Sequence, residues 1–254
     1  MIFAGKSHQQ QQRSGGRPSA LAVLGIVTVM VLVVASLLSS AMRRWDMDLT
    51  FSQLWWHAPH TWFGERSSVC WFLNKYGPAP GILLGVGAGV VLMSSLLRRA
   101  WRGLAMPALY VLMAFVLGPG LLVNGVLKHS WARARPKELV EFGGTKPYER
   151  IFTEVKGSLG RSFPSGHASS AFVLSALGFA AAIWGTRQGM WAGLALGAVW
   201  GALVGWSRIA SGAHFLSDVM WSAVLVTCVN FLTLLPFVVA SHASRKSRQV
   251  ESFA

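Results

Sequence analysis

The sequence predicts an all-α protein, a bundle of six transmembrane helices. Three observations lead there. Hydrophobic residues make up 53% of the 254, and charged residues only 13%, about half the ~25% of a soluble domain. Six apolar runs, at residues 20–42, 78–97, 105–127, 168–185, 190–206 and 217–240, each lie near the ~20 residues that cross a bilayer. Twelve tryptophans and three tyrosines occur, many at the ends of those runs, where amphipathic rings anchor at the membrane interface. A soluble helical domain would need far more charge to cover its surface.

The first run follows Lys6, Arg13 and Arg17 and ends near Ser39-Ser40-Ala41, which gives it the outline of a signal peptide. Its apolar stretch exceeds the 7–15 residues of a signal core, so an uncleaved anchor is expected. Residues 1–19, with Gln9–Gln12 and Gly15-Gly16, carry no core pattern and are expected to form a disordered tail. Residues 45–76 contain Trp55, Trp56, Trp62 and Trp71 and read as one or two interfacial helices, an anchor or a lid that shapes a headgroup site. The fourth and fifth runs are short and rich in Gly and Ala, which suits close helix packing more than lipid exposure. The domain is assigned to residues 20–240, with a C-terminal tail at 241–254. Cys70 lies just before one run and Cys228 inside another, and no disulfide is expected between them.

Charge sets the orientation. The tail, the loop with Arg98, Arg99 and Arg102, the turn with Arg187, and the C-terminus with Arg245, Lys246 and Arg248 are basic and almost free of acids. Short basic loops stay in the cytoplasm. Six spans put all four on that side, so both termini are expected there. Segments 43–77, 128–167 and 207–216 are then expected to face out. They hold Asp46, Asp48, Glu65, Glu138, Glu141, Glu149 and Glu154, seven of the nine acidic residues. The net charge of +14 is spread over short loops, which points to lipid headgroups rather than nucleic acid. Residues 128–161 break the rule with eight basic groups. Lys137, Lys146, Arg150 and Lys156 read as a solvated face partly balanced by glutamates. Lys128 and Arg135 do not.

Lys128 ends the third run, and Arg135-Pro136 follows seven residues on. Two helical turns would place Lys128 and Arg135 on one face, with Pro136 stopping the helix. Arginine offers phosphate a planar fork and lysine a point charge. Pro164-Ser165-Gly166-His167 precedes the fourth run. There Gly166 permits close backbone approach and the helix start favours an anion, although a plain N-cap turn at Ser165 explains the same residues. His167 beside such a turn reads as an acid or base. Ser207-Arg208 closes the fifth run, and His214 and Asp218 open the sixth. One helical turn separates these two, so the carboxylate can orient the imidazole as in an activated nucleophile.

These stretches resemble the three-part signature of the type 2 phosphatidic acid phosphatase (PAP2) superfamily: Lys128-x6-Arg135-Pro136, Pro164-Ser165-Gly166-His167 and Ser207-Arg208-x5-His214-x3-Asp218. The resemblance covers the C-terminal half by motif. It implies a lipid phosphatase in which His214 attacks phosphorus, Asp218 orients it, and His167 serves as general acid and base. Lys128, Arg135, Ser165, Gly166 and Arg208 would hold the phosphate oxygens, with no metal and no cofactor. The implied partner is a phosphorylated membrane lipid: lipid A, phosphatidylglycerophosphate or undecaprenyl diphosphate. Glu141-Phe142-Gly143-Gly144 is similar to a feature of bacterial lipid A phosphatases, and equally reads as a Gly-Gly turn. A lipid phosphotransferase using the same site, or a non-catalytic anionic-lipid binding or transport protein, remains the alternative. A vanadate-dependent haloperoxidase would share the pocket, but those proteins are soluble.

Overall fold

The computed structural model describes residues 19–57, 61–153 and 160–251, the last eleven as backbone only. The predicted tail therefore lies outside the described residues except for Ser19, as do Glu154 and Lys156. Six helical segments are long and apolar enough to cross a membrane: Ala20–Arg44, Ser68–Leu97, Arg99–Ser130, Gly166–Trp184, Arg187–Ala210 and Leu216–Ala240. The six-span expectation holds, with boundaries that differ for local reasons.

The first span is α1 (Ala20–Arg44), started by the Ser19 side chain, which accepts from the Ala22 amide. Its outward face carries Ile26, Val29, Met30, Val33 and Leu37, apolar side chains that suit lipid. Two short helices follow, α2 (Met47–Gln53) and α3 (Phe63–Arg66), around a two-stranded antiparallel hairpin. In that hairpin β1 (Trp56–His57) pairs with β2 (Thr61–Trp62). This hairpin is a small departure from an all-α chain. Trp62 is buried with Leu139, Phe142 and Phe215 in a cluster beside the site. The tryptophan-rich loop therefore packs on the protein as well as presenting Trp45 and Trp71 outward.

The second span starts ten residues early, because α4 (Ser68–Tyr76) leads into α5 (Ala79–Leu97) with Pro at its first turn. The third opens with a 3-10 turn at Arg99–Leu104, continues as α6 (Ala105–Phe115) and widens to a π-helix over Val116–Leu127. Pro119 lies inside it, and a helix-interior proline removes a donor and crowds the preceding turn. The wider coil accommodates it, and Asn124 Nδ2 donates to the Pro119 carbonyl at 2.7 Å. A short turn, α7 (Lys128–Ser130), ends the span.

The fourth span comprises α8 (Gly166–Phe172), a 3-10 turn and α9 (Ala176–Trp184). It packs on α10 (Arg187–Ala210) along glycines spaced by four. A Cβ at Gly193 would run into the Gly178 backbone, one at Gly197 into Ser175, and one at Gly201 into the Phe172 ring. Small residues thus let the two backbones approach, as the composition of these runs predicts. The last helix, α11 (Leu216–Glu251), continues past the sixth span through the region read as a tail. The membrane core gathers Leu24, Tyr110, Phe179, Met190, Leu234 and Phe237 from five of the spans.

Candidate active site

The first motif is arranged differently from its prediction. The helix stops at Ser130, and Trp131–Arg135 is not helical, with Arg135 itself extended (φ −85°, ψ 153°). Pro136 does not end a helix; it opens a 3-10 turn, since the residue before a proline is driven from helical geometry. Lys128 and Arg135 therefore do not share a helix face. They converge all the same: Lys128 lies within electrostatic range of Arg135, Arg161 and Arg208. A Cβ built on Gly166 would stand 3.1 Å from Lys128 Nζ and collide with Asn124 Oδ1. The second motif thus meets the first at Gly166, where any side chain would have to displace the Asn124 amide.

Ser165 is fully buried and its hydroxyl caps α8, accepting from the Ala168 amide at 3.4 Å. The N-cap reading of this turn is thus realised. The same turn is stitched to the sixth span, because the Ser165 amide donates to Ser222 Oγ at 2.9 Å. His167, half-buried in the first turn of α8, is within electrostatic range of Arg208, His214, Lys128 and Arg135. Gly166, which opens α8, lies beside Lys128, and the unsatisfied amides of a helix start add to the positive field there.

His214 lies in the loop before α11, held there by Gly212 in a left-handed conformation (φ 61°) with the Trp62 ring against it. The predicted His214–Asp218 bond needs correction. His214 Nδ1 is 3.7 Å from Asp218 Oδ2, beyond hydrogen-bond reach, and is bonded instead to the Ser162 carbonyl at 2.7 Å. The reason is local. His214 precedes the helix rather than occupying its first turn, so the one-turn spacing does not apply. Asp218 reaches back to the Phe215 amide at 2.9 Å, half of a capping box, and accepts from Ser162 Oγ. Asp218 and His214 are thus linked through Ser162, one by its hydroxyl and the other by its carbonyl. A carbonyl acceptor fixes the proton on Nδ1, which leaves Nε2 with a lone pair.

Sequence reasoning missed four participants. Arg133, 2% exposed, donates from Nη1 to Asp218 Oδ1 at 2.8 Å and from Nη2 to Asp48 Oδ2 at 2.8 Å. Its guanidinium stacks 4.0 Å above the Phe215 ring. Asp48, on α2, also accepts from the Ser217 amide at 2.9 Å and from its hydroxyl. Asn74, on α4, accepts from Arg208 Nη1 at 3.1 Å and donates to Ser211 Oγ at 2.8 Å. Ser162 completes the set. Only one signal was available in advance: Arg133 shares a stretch with Lys128 and Arg135. Of the residues read as a solvated face, Lys146 pairs with Glu138 at 3.1 Å and Arg150 with Asp46, from another loop, at 2.6 Å; Lys156 lies outside the described residues.

Burial is the main influence that pulls the His214 imidazole below its ordinary value; Asp218 opposes it, while Arg208 and Lys128 add to the lowering. Burial also works against the Arg133 charge, but Asp218 and Asp48 outweigh it and raise that guanidinium. Arg208 Nε is buried without a hydrogen-bond partner, and a buried donor left unmade costs about 1–3 kcal/mol. An anion at this point would satisfy it. Among the described residues no group of three or more His, Cys, Asp or Glu side chains is placed to hold a metal ion.

A helical membrane bundle holding two histidines and three convergent cations at the ends of its spans defines a class, the membrane-embedded phosphoryl-transfer enzymes. The profile of the PAP2 superfamily matches residues 107–238, more than half of the chain, and the chain belongs to that superfamily. It is a phosphoric ester hydrolase of the membrane-integral kind. It is 26% identical over 184 residues to the Lipid A 4'-phosphatase of Francisella tularensis subsp. novicida (strain U112), covering 71% of this chain and 82% of that protein. It is 36% identical over 126 residues to the Lipid A 4'-phosphatase of Rhizobium leguminosarum. That alignment covers 47% of this chain and spans about half, 51%, of that relative's length. A crystal structure of a transmembrane PAP2 type phosphatidylglycerolphosphate phosphatase from Bacillus subtilis aligns with 22% identity and a TM-score of 0.48, over 81% of this chain and 93% of that one.

Proposed function

We propose that the protein removes a phosphate from the headgroup of a lipid A-type membrane lipid through a phosphohistidine at His214. The observation that carries this reading is the 2.7 Å contact between His214 Nδ1 and the Ser162 carbonyl, an acceptor that draws the ring proton to Nδ1. The Nε2 lone pair is the nucleophile. It forms the N–P bond while the ester P–O bond breaks, and His167 gives its proton to the departing alkoxide. In the second half, His167 takes a proton from water, which attacks phosphorus and breaks the N–P bond to release inorganic phosphate. Lys128, Arg135 and Arg208, with the amides at the start of α8, hold the equatorial oxygens as charge develops. Arg208 Nε, buried and unpartnered, is the donor most in need of that charge. No step uses a metal or cofactor.

Lys128, His167 and Arg208 stand at span ends, so a lipid can keep its acyl chains in the bilayer while the phosphate enters. In this reading the site faces the periplasm and both termini are cytoplasmic. The two lipid A 4'-phosphatase relatives support the lipid class. The test is phosphate release from lipid A, phosphatidylglycerophosphate, phosphatidic acid and undecaprenyl diphosphate by the purified protein in detergent. Lipid A is expected to lead by about tenfold or more in kcat/KM, about 1.4 kcal/mol in the barrier. A lead of that size for another lipid would reassign the substrate.

A pH dependence follows from His214. The neutral imidazole is the nucleophile, and burial lowers its pKa from the ordinary 6.5. The neutral form therefore persists at more acid pH than for a solvated histidine. The acid limb of kcat/KM, which reports the free enzyme, is expected below pH 6.5. A pH–rate series on the preferred lipid checks this, and an acid limb above that value would contradict the assignment.

A further inference from the structure

Asp48 lies outside the three motifs and outside the residues that the superfamily profile matches, yet it is only 1% exposed. We infer that Asp48, acting through Arg133, is a positioning residue for phosphoryl transfer, and that it sets how much negative charge Asp218 presents to His214. This inference rests on the phosphohistidine reading above.

Arg133 sits between two carboxylates, 2.8 Å from each. Shared in this way, it cannot neutralise Asp218 completely; Asp48, Arg133 and Asp218 together carry one net negative charge. Without the Asp48 charge, Arg133 would belong to Asp218 alone and the cluster would be neutral. His214 would then face Arg208, Lys128 and His167 on one side with no net counter-charge on the other. Tyr148, whose ring meets Phe215 at 5.8 Å between centroids, borders the cluster but adds no charge. The cost falls on the step in which His214 gains positive character as it bonds to phosphorus, since nearby negative charge stabilises a cationic imidazole.

Asp48 also fixes geometry. Its Oδ1 takes the Ser217 amide and its Oδ2 the Ser217 hydroxyl, so it closes the first turn of α11, where Asp218 stands. Arg133 joins the same hydroxyl at 2.9 Å. The chain from α2 to the reacting histidine is therefore continuous: Asp48, Arg133, Asp218, Ser162, His214. Each link is a hydrogen bond between buried groups, where the low dielectric makes such a network strong.

Three variants of the full chain, purified in detergent, test this. In Asp48→Asn, kcat is expected to fall about tenfold or more with KM unchanged, and the acid limb to move down by about half a pH unit or more as a negative charge is lost. Arg133→Lys keeps the charge, so the limb should stay in place. Its kcat should still fall, because an ammonium cannot span both carboxylates as the guanidinium fork does. A purely structural role would lower the thermal midpoint and the active fraction without moving the limb. Wild-type kcat and acid limb in Asp48→Asn would overturn the inference. If Asp48→Asn does not yield a monodisperse protein, Arg133→Lys decides, and wild-type kcat there overturns it. His214→Ala separates the two levels of argument. Turnover retained in that variant defeats the phosphohistidine reading, whereas its loss beside an unaffected Asp48→Asn defeats only the role of Asp48.

Discussion

Replacing His214 with alanine is expected to lower kcat for phosphate release by about 10⁴-fold or more, the scale of losing a catalytic nucleophile. The variant loses the Nε2 lone pair, so no N–P bond can form and the two-step route closes. Residual turnover would come from the cations, which still stabilise charge on a phosphoryl group attacked directly by water. KM should change little, because Lys128, Arg135 and Arg208 make their contacts without the imidazole. Folding should survive. The Ser162 carbonyl loses its donor, at about 1–3 kcal/mol, but the Arg133 network behind it does not depend on the ring. Single-turnover kinetics on protein shown to be monodisperse checks the expectation, and unchanged phosphate release would remove His214 from the mechanism.

The placement of that histidine shows what the sequence makes legible. The six spans could be read because a bilayer imposes a length and a polarity on each, and those constraints are local. Close packing of the fourth and fifth spans could be read from their Gly and Ala content, while the structure adds that a spacing of four puts the glycines of the fifth on one helix face. His214 and Asp218 were read as neighbours on a helix, and they are neighbours. The helix begins at Leu216, however, so the histidine hangs from the preceding loop and takes its partner from Ser162, 52 residues away. The extended run into Arg135 hides in the same way. Pro136 signals a break, but the chain leaves helical geometry five residues earlier, after a third span already widened around Pro119.

Arg133 and Asp48 were harder still. Counted by composition, Arg133 is one of eight cations in a polar stretch and Asp48 one of seven acids in the facing loops. Their pairing spans 85 residues and depends on α2 folding back over the start of α11. No periodicity encodes that. Asn74 is similar, an ordinary polar residue near the end of an amphipathic helix until Arg208 is found against it, 134 residues on. The chemistry-bearing residues are thus marked by their motifs, while the groups that aim them come from several places: Asp48 from the loop between the first two spans, Asn74 from the start of the second, and Arg133 and Ser162 from the loop between the third and fourth.

That division predicts where the fold is most fragile. Arg133→Met is expected to destabilise the protein by about 3–5 kcal/mol, the cost of breaking a buried ion pair by removing one partner. Methionine fills much of the space, and loss of the stack on Phe215 is a minor part. The larger part is two carboxylates, Asp48 and Asp218, at 1% and 0% exposure, left facing each other without their shared cation. If the orphaned charges are the cause, removing one should recover stability even though it adds a second substitution. Asp48→Asn in the Arg133→Met background is therefore expected to raise the thermal midpoint above that of Arg133→Met alone. Thermal unfolding of the four proteins in one detergent, read as a double-mutant cycle, makes the comparison. Losses that simply add would mean that packing, not charge, holds this corner together. The recovered protein should remain inactive or nearly so, because Asp218 would have lost the guanidinium that fixes its direction toward Ser162 and His214.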